Sequence, residues 1–442
     1  MTAATPTVEE VQPGLSAAER ASLRSARIRG AVLVALALLA FQYVPAALSV
    51  PATFSFWLTR QGGEALTIST NVGLVWLVTG LVTGIVGMGQ LVRGPAFQWR
   101  RGLLVVLPCW IAAAFAALLA GQPANLTNLF AGTLAYAAPI SLGAFAGILS
   151  ERSGMSNIAI EGKFLIGSCV ASIAASATML ALGPTTSPTV GVLVGIGMAA
   201  VAGILVSLLL AWLGIRWRVD QIIAGIVINI GAVGIASVVF LRVLTKQTEL
   251  NTPPTVEVIR IPVLSEIPVI GPILFQGSPY LYFALLVMVA FAYMLYRTRW
   301  GLRLRASGEK PSAAGTVGID VIKIRYRAMI LAGILAGIAG SSFTLASAGS
   351  FQMNQGGGPS AGRGFIALAA VIFGAWNPIY AFGAAMVFGF ADASQSLLSV
   401  LGVDVPPQLL NSLPYIVTII VVAGVVGRVR GPAAAGQPYD QG

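Results

Sequence analysis

The sequence predicts an all-α, polytopic membrane protein with about 10–12 transmembrane helices and both termini in the cytoplasm. Three observations carry that reading. Of the 442 residues, 57% are hydrophobic and 9% charged, against about a quarter charged in soluble domains, and the mean hydropathy is +0.86. Apolar blocks such as 30–50, 68–90 and 191–213 are each long enough to cross a roughly 30 Å hydrocarbon core as a helix. Twenty-one of the 26 Lys and Arg residues fall at the chain ends or in alternate connections between spans, the bias that marks cytoplasmic segments.

The elements follow in order. Residues 1–29 begin with an acidic stretch rich in Pro, Thr and Ala and read as a cytoplasmic disordered tail. The first apolar run is too long and too far in for a cleaved signal peptide. Spans are expected near 30–49, 68–91, 102–120, 128–149, 163–182, 190–213, 220–243, 280–297, 327–348, 363–377, 378–400 and 410–427. Residues 30–120 hold extra N-terminal spans, 121–430 the main transmembrane domain, and 431–442 a second disordered tail. Span 363–377 is short and ends at Trp376-Asn377-Pro378, so it is a full crossing, one arm of a hairpin or a re-entrant segment. The outer loop 245–279 mixes prolines with Ile and Val, which fits either a stiff spacer or a folded lid and docking surface. Glycine at helical spacing, as at Gly80, Gly84 and Gly87, lets helices approach closely.

Several function classes drop out. The net charge of +11 is explained by topology and does not imply nucleic acid, because no basic patch is interleaved with aromatics. There is no histidine to shuttle protons or bind zinc. Cys109 and Cys169 both sit in apolar runs, which argues against a disulfide. GxxxxGK[ST] is absent, and Gly356-Gly357-Gly358-Pro359 lacks the lysine, so the chain is not itself an ATPase. With neither HExxH nor clustered carboxylates, an intramembrane enzyme is disfavoured. An ion- or proton-coupled carrier stays open, although Glu161 and Asp392 are thin machinery for it.

Four segments could carry transport. The polar loop 298–326 lies in a stretch with eight basic residues from Arg297 to Arg327. Lys310-Pro311 can open a short helix there, with Pro311 at a position that needs no donor. Gly315 and Gly318 limit its length. It is either a solvated loop or a docking helix. In the segment 151–162, Glu161 either pairs with Arg152 or Lys163 or faces a solute path. Within spans, Asn71, Gln90, Gln221, Asn229, Asp392 and Gln395 offer polar groups, with Phe365, Phe388 and Phe390 nearby. These either bond neighbouring helices or read a polar solute. The candidate solute set is Asn157, Glu161, Gln221, Asn229, Phe365, Phe388, Asp392 and Gln395. The glycine-dense segment 349–364 is either unwound backbone beside the solute path or a flexible outer loop, with Arg363 pairing to a lipid phosphate or a partner.

Four blocks together carry a family resemblance over roughly 128–428. One is Gly301-Leu302-Arg303-Leu304-Arg305-Ala306 with Gly308-Glu309, Ala313-Ala314 and Gly318-Ile319. The second is Glu151-Arg152-Ser153-Gly154 with Asn157 to Gly162. The third is Ala361 to Ala369 with Phe373-Gly374-Ala375-Trp376-Asn377-Pro378, and the fourth is Asp220-Gln221-Ile222 with Gly225 and Asn229. The chain resembles inner-membrane permeases of ATP-binding-cassette (ABC) importers, in the branch of the ribose and branched-chain amino-acid permeases. Within that branch it looks most like the general nucleoside permeases served by a basic-membrane-protein-type lipoprotein. The resemblance implies a multi-pass permease of the bacterial inner (plasma) membrane with nucleosides as its cargo, and ribose or another small polar solute as the alternative. It implies that Arg305, Gly308, Glu309, Pro311, Ala313, Ala314 and Gly318 couple to cytoplasmic ABC ATPase subunits. ATP and Mg would sit on those subunits and no cofactor on this chain. The other implied partners are a second homologous permease, an extracytoplasmic solute-binding lipoprotein and the bilayer, with no nucleic acid. Lys310 departs from the asparagine common there, and the extra N-terminal spans have no counterpart in the pattern.

Overall fold

The computed structural model describes residues 17–58, 65–119, 121–183, 185–353, 357–403, 405–425 and 430–439. The first 16 residues of the expected N-terminal tail and the last three of the expected C-terminal tail lie outside them. Contacts divide the chain into two compact units: Met1–Phe56 with Leu66–Asn125 and Leu401–Val403, and Trp57–Ala65 with Leu126–Val400 and Asp404–Gly442.

The first unit carries helices α1 (Ala17–Ala47), α2 (Val72–Arg93) and α3 (Trp99–Leu118). Its strands are β1 (Pro51–Trp57), β2 (Ala65–Asn71) and β3 (Pro123–Asn125), in the order β2-β1-β3. β1 and β3 run parallel from Thr53↔Pro123 to Ser55↔Asn125. Hydropathy alone starts a span at residue 68, but Thr67, Ile68 and Thr70 are β-branched, which favours a strand. Trp76 stacks on Tyr43 at 5.1 Å and meets Trp110 edge-on at 5.4 Å. The Trp110 indole N–H donates to Thr83 Oγ1, so the ring cluster buries no unpaired donor.

The second unit holds α4 (Leu126–Arg152), α5 (Ile160–Leu182), α6 (Pro188–Ile215), α7 (Gln221–Val239), α8 (Ile270–Leu274) and α9 (Pro279–Arg297). It continues with α10 (Arg299–Glu309), α11 (Pro311–Thr316), α12 (Val321–Ser342), α13 (Arg363–Phe373), α14 (Pro378–Val400) and α15 (Pro407–Val425). Among the described residues of the whole chain, 10 helices are long and apolar enough to cross a membrane. The chain is thus an all-α polytopic membrane protein, at the lower end of the expected span count.

Helix starts follow local chemistry. Asp220 accepts from the Ile222 and Ile223 N–H groups, Asp320 from Lys323 N–H and Thr298 from Gly301 N–H. Pro188, Pro279 and Pro311 open α6, α9 and α11, where their missing donors cost nothing. Hydrogen bonds from Lys323, and then its charge, hold the Asp320 carboxyl below its ordinary range, so this cap stays ionised into mild acid.

α4 and α12 are the most buried spans and pack on one another. α12 also crosses α6 with glycines on both sides: a β-carbon on Gly203 would overlap Gly333 O, and one on Gly337 would overlap Ala199 O. The exposed faces of α6 and α7, including Leu205, Val227 and Ile230, remain apolar, as lipid contact requires.

α13 has 11 residues and is roughly 16 Å long, too short to cross as a full span, which leaves the hairpin-arm and re-entrant readings of this segment. Before it, α12 continues through a wider turn over Phe343–Ala348. Loop 245–279 is folded, not a bare spacer. It contains α8, a β4 (Ile259–Arg260) to β5 (Gln276–Gly277) pair, and Asn251 Oδ1 accepting from Phe351 N–H and Ser172 Oγ–H.

Candidate functional site

α4 and α12 run between two features of the second unit. About 18 residues separate Arg325 from Phe343, or roughly 27 Å along a helix. One end carries the α10–α11 knob and the other a cavity.

At the knob, the residues expected to couple divide into two groups. Glu309, Ala313 and Gly318 are exposed, and Pro311 and Arg305 half-buried. Ala314 is buried, and Gly308 is packed so that a β-carbon would overlap Arg152 O. The inward pair fixes the knob, while the outward residues leave a small surface free. Val317, 74% exposed, belongs to that surface and was missed in sequence because valine in a membrane protein draws no notice. Arg305 is also held from within, its guanidinium 5.4 Å from the Tyr296 ring.

The knob is tied to the bundle by polar contacts. Ser307 Oγ–H donates to Ser153 O at 3.0 Å, and Arg152 pairs with Glu309 at 3.6 Å. Arg152 also donates to Trp376 O, and the Trp376 indole N–H donates to Glu151 Oε2. Trp376 and Ala375, in the turn after α13, both adopt left-handed backbone conformations (φ 55° and 50°), an unusual pairing for residues with side chains. Residues 431–439, expected as part of a disordered tail, also lie here: Ala434 N–H donates to Gly308 O at 2.9 Å.

The cavity lies at the other end of α13. It measures about 380 Å³ and is lined by Tyr136, Pro139, Tyr280, Phe343, Gln276 and Arg363, among others. Arg363 Nε donates to Asp392 Oδ2 at 2.7 Å. Its guanidinium lies 5.5 Å from the Tyr136 ring and 5.8 Å from that of Phe343. An adjoining groove adds Asp392, Gln395, Ser396 and Ser399 to Tyr136 and Arg363. The lining is therefore aromatic, with one internally cancelled charge pair, a surface suited to an uncharged polar solute. Within the chain, Arg363 pairs with Asp392.

Of the eight expected solute residues, Asp392 and Gln395 line this region. Gln395 Nε2–H donates to Asn411 Oδ1. The others are elsewhere. Glu161 pairs with neither Arg152 nor Lys163; it accepts from Ser360 Oγ–H, Gly362 N–H and Gly364 N–H and so caps the start of α13. Asn157 accepts from Lys163 Nζ–H and donates to Ser150 Oγ. Asn229 accepts from Gly162 N–H and donates to Ile158 O, and Gln221 accepts from Ser156 N–H. These three hold the segment between α4 and α5 in place. Phe388 is buried against Phe373, and Phe365 is 49% exposed outside the cavity lining. Sequence reasoning missed Tyr136, Tyr280 and Phe343, because single aromatics in apolar runs carry no signal of where they point.

Ten apolar helices of spanning length among the described residues, a short apolar helix ending at a cavity and a second short helix presented on a knob mark a multi-pass integral membrane protein. Residues 129–422 match the family model "Branched-chain amino acid transport system / permease component". The chain belongs to this family of ABC transporter permeases, multi-pass proteins of the bacterial plasma membrane that work with ATPase and solute-binding partners and are not themselves enzymes. It is 36% identical over 323 residues to the guanosine ABC transporter permease NupQ of Bacillus subtilis, covering 72% of this chain and 98% of that one. It is 36% identical over 322 residues to the nucleoside ABC transporter permease NupC of Lactococcus lactis, covering 71% and 97%. A putative glucose ABC transporter permease, TsgC13 of Haloferax volcanii, is 29% identical over 337 residues, covering 71% and 98%. No solved structure matches. Residues 1–128 lie outside the family match.

Proposed function

We propose that this chain is the permease subunit of an ABC importer that carries nucleosides. One observation carries the reading: a small exposed knob and an aromatic, charge-balanced cavity joined by the same buried helices, α4 and α12. The cargo assignment leans on the two nucleoside permeases, each matched almost end to end. The cavity's volume of about 380 Å³ lies in the range that small-molecule sites use, and Tyr136, Tyr280 and Phe343 offer ring faces to a base.

On this reading the knob faces the cytoplasm, as do both termini, and Glu309, Ala313, Val317 and Gly318 meet an ABC ATPase. ATP and Mg bind there and not on this chain. A second, homologous permease completes the pathway, and an extracytoplasmic solute-binding lipoprotein delivers the cargo. Closure of the ATPases moves the knob. Arg152 and Trp376 pass the motion to α13, whose far end holds Arg363 at the cavity. Sugars are the second reading, favoured by the 29% identity to the putative glucose permease. Uptake of labelled guanosine by cells expressing the transporter, competed with uridine, ribose and glucose, tests the cargo. Competition by nucleosides alone is expected; competition by glucose or ribose at equal concentration would reassign it.

A further inference from the structure

We propose that residues 430–439 form a strap that positions the α10–α11 knob for energy transfer, with Arg325 and Tyr439 as its positioning residues. This rests on the coupling reading of the knob given above.

The strap is anchored by buried Pro432 and Ala434. Ala434 N–H donates to Gly308 O at 2.9 Å, at the end of α10, and Gly436 N–H donates to Gly154 O at 3.2 Å. Ala433 N–H points at Glu309 Oε2, 3.4 Å away. Gly436 has φ 78°, the left-handed conformation that glycine adopts without a steric penalty. The chain thus crosses from the knob to the turn after α4 in three residues.

Arg325, near the start of α12, joins the two sides. It is 1% exposed. Its Nε donates to Ser153 O at 3.3 Å and its Nη1 to Gln437 O at 3.2 Å. The Tyr439 ring lies 5.9 Å from its guanidinium, and Nη2 has no hydrogen-bond partner among the described residues. A guanidinium held by carbonyls and a ring, away from water, is costly unless those partners stay in place. Tyr439 reaches α11 as well: its hydroxyl occupies the space that a β-carbon on Gly315 would need.

The mechanical consequence follows from size. α11 has six residues, and helices this short are not stable alone. Pushed by a partner, an untethered α11 would swing on the Lys310 connection and deliver little displacement. With the strap it is tied to α10, the Ser153–Gly154 turn and α12 together. Displacement of the knob then moves α4 and α12.

The test uses the whole transporter in proteoliposomes, with its ATPase, second permease and solute-binding protein, and guanosine as probe. The variants are deletion of 431–442, Tyr439→Ala and Tyr439→Phe. ATPase co-purification and ATP hydrolysis are expected to persist, while ATP consumed per guanosine rises about tenfold on deletion and severalfold in Tyr439→Ala. Tyr439→Phe keeps the ring on Arg325 but loses the hydroxyl at Gly315, and is expected to give a ratio between those of wild type and Tyr439→Ala. Hydrogen exchange on the intact transporter is expected to show the Ala434 and Gly436 amides protected. An unchanged ATP-to-guanosine ratio on deletion, a proportional loss of ATPase binding and uptake, or unprotected amides would each overturn the strap. Val317→Asp separates the underlying reading: if it leaves ATPase binding intact, the knob does not dock the ATPase, whatever the strap does. If the wild-type transporter moves no guanosine, the cargo assignment fails, and the exchange measurement still decides the strap.

Discussion

Two ion pairs mark the two ends of α4 and α12, and they differ in kind. Arg152–Glu309 at the knob is 3.6 Å apart with Glu309 more than half exposed. Arg363–Asp392 at the cavity is 2.7 Å apart with Asp392 4% exposed. An exposed pair is worth about 0–1 kcal/mol and is easily exchanged for other contacts, which suits a surface that must meet and release a partner. A buried pair contributes little net stability, yet breaking it by removing one partner costs about 3–5 kcal/mol. On the proposed function, the chain thus keeps its negotiable charges where a protein would dock and its fixed charges where a solute would pass.

The sharpest way to break that contrast is Arg363→Gln or Asp392→Asn. Each leaves one buried charge unpaired, and a loss of about 3–5 kcal/mol in unfolding free energy is expected, read as a lower thermal midpoint in detergent. The double variant Arg363→Met/Asp392→Leu is expected to recover most of the stability without recovering uptake, because the cavity loses its polar handle. Recovery of both would show that the pair is only structural. Next in size is Asn229→Ala, which removes two hydrogen bonds to the segment between α4 and α5. About 2 kcal/mol of stability should go, with the KM for solute unchanged; a KM shift would return Asn229 to the solute path. Glu309→Gln is expected to cost below about 1 kcal/mol in stability. Last, Phe365→Ala should leave the KM for uptake where it was, since the ring does not line the cavity.

How much of this was legible in the sequence depends on the kind of signal. Span positions follow from hydropathy, and nearly every expected span has a helix within a few residues. The strands at Pro51–Trp57 and Ala65–Asn71 were not seen, because a hydropathy window tuned to spans passes over short strands between them. The knob was legible because Pro311, Gly315 and Gly318 punctuate a polar stretch. The cavity was not. Asn157, Gln221 and Asn229 look like solute ligands by residue type, but each satisfies backbone or side-chain groups of a neighbouring segment. Glu161 has the same problem in sharper form: its carboxylate accepts from one hydroxyl and two amides 199 to 203 residues away, a pairing no local pattern encodes.

The central claim is that one end of the bundle is read by a protein and the other by a solute. It is tested most directly by placing a single cysteine at either end, Val317→Cys or Tyr136→Cys, in a background with Cys109 and Cys169 replaced. Treatment of native membranes with a short bifunctional thiol reagent should cross-link position 317 to the ATPase subunit. Position 136 should give no such product and should instead be shielded by guanosine from a small soluble thiol reagent. Cross-linking of 136 to the ATPase, or guanosine protection at 317 with none at 136, would contradict it.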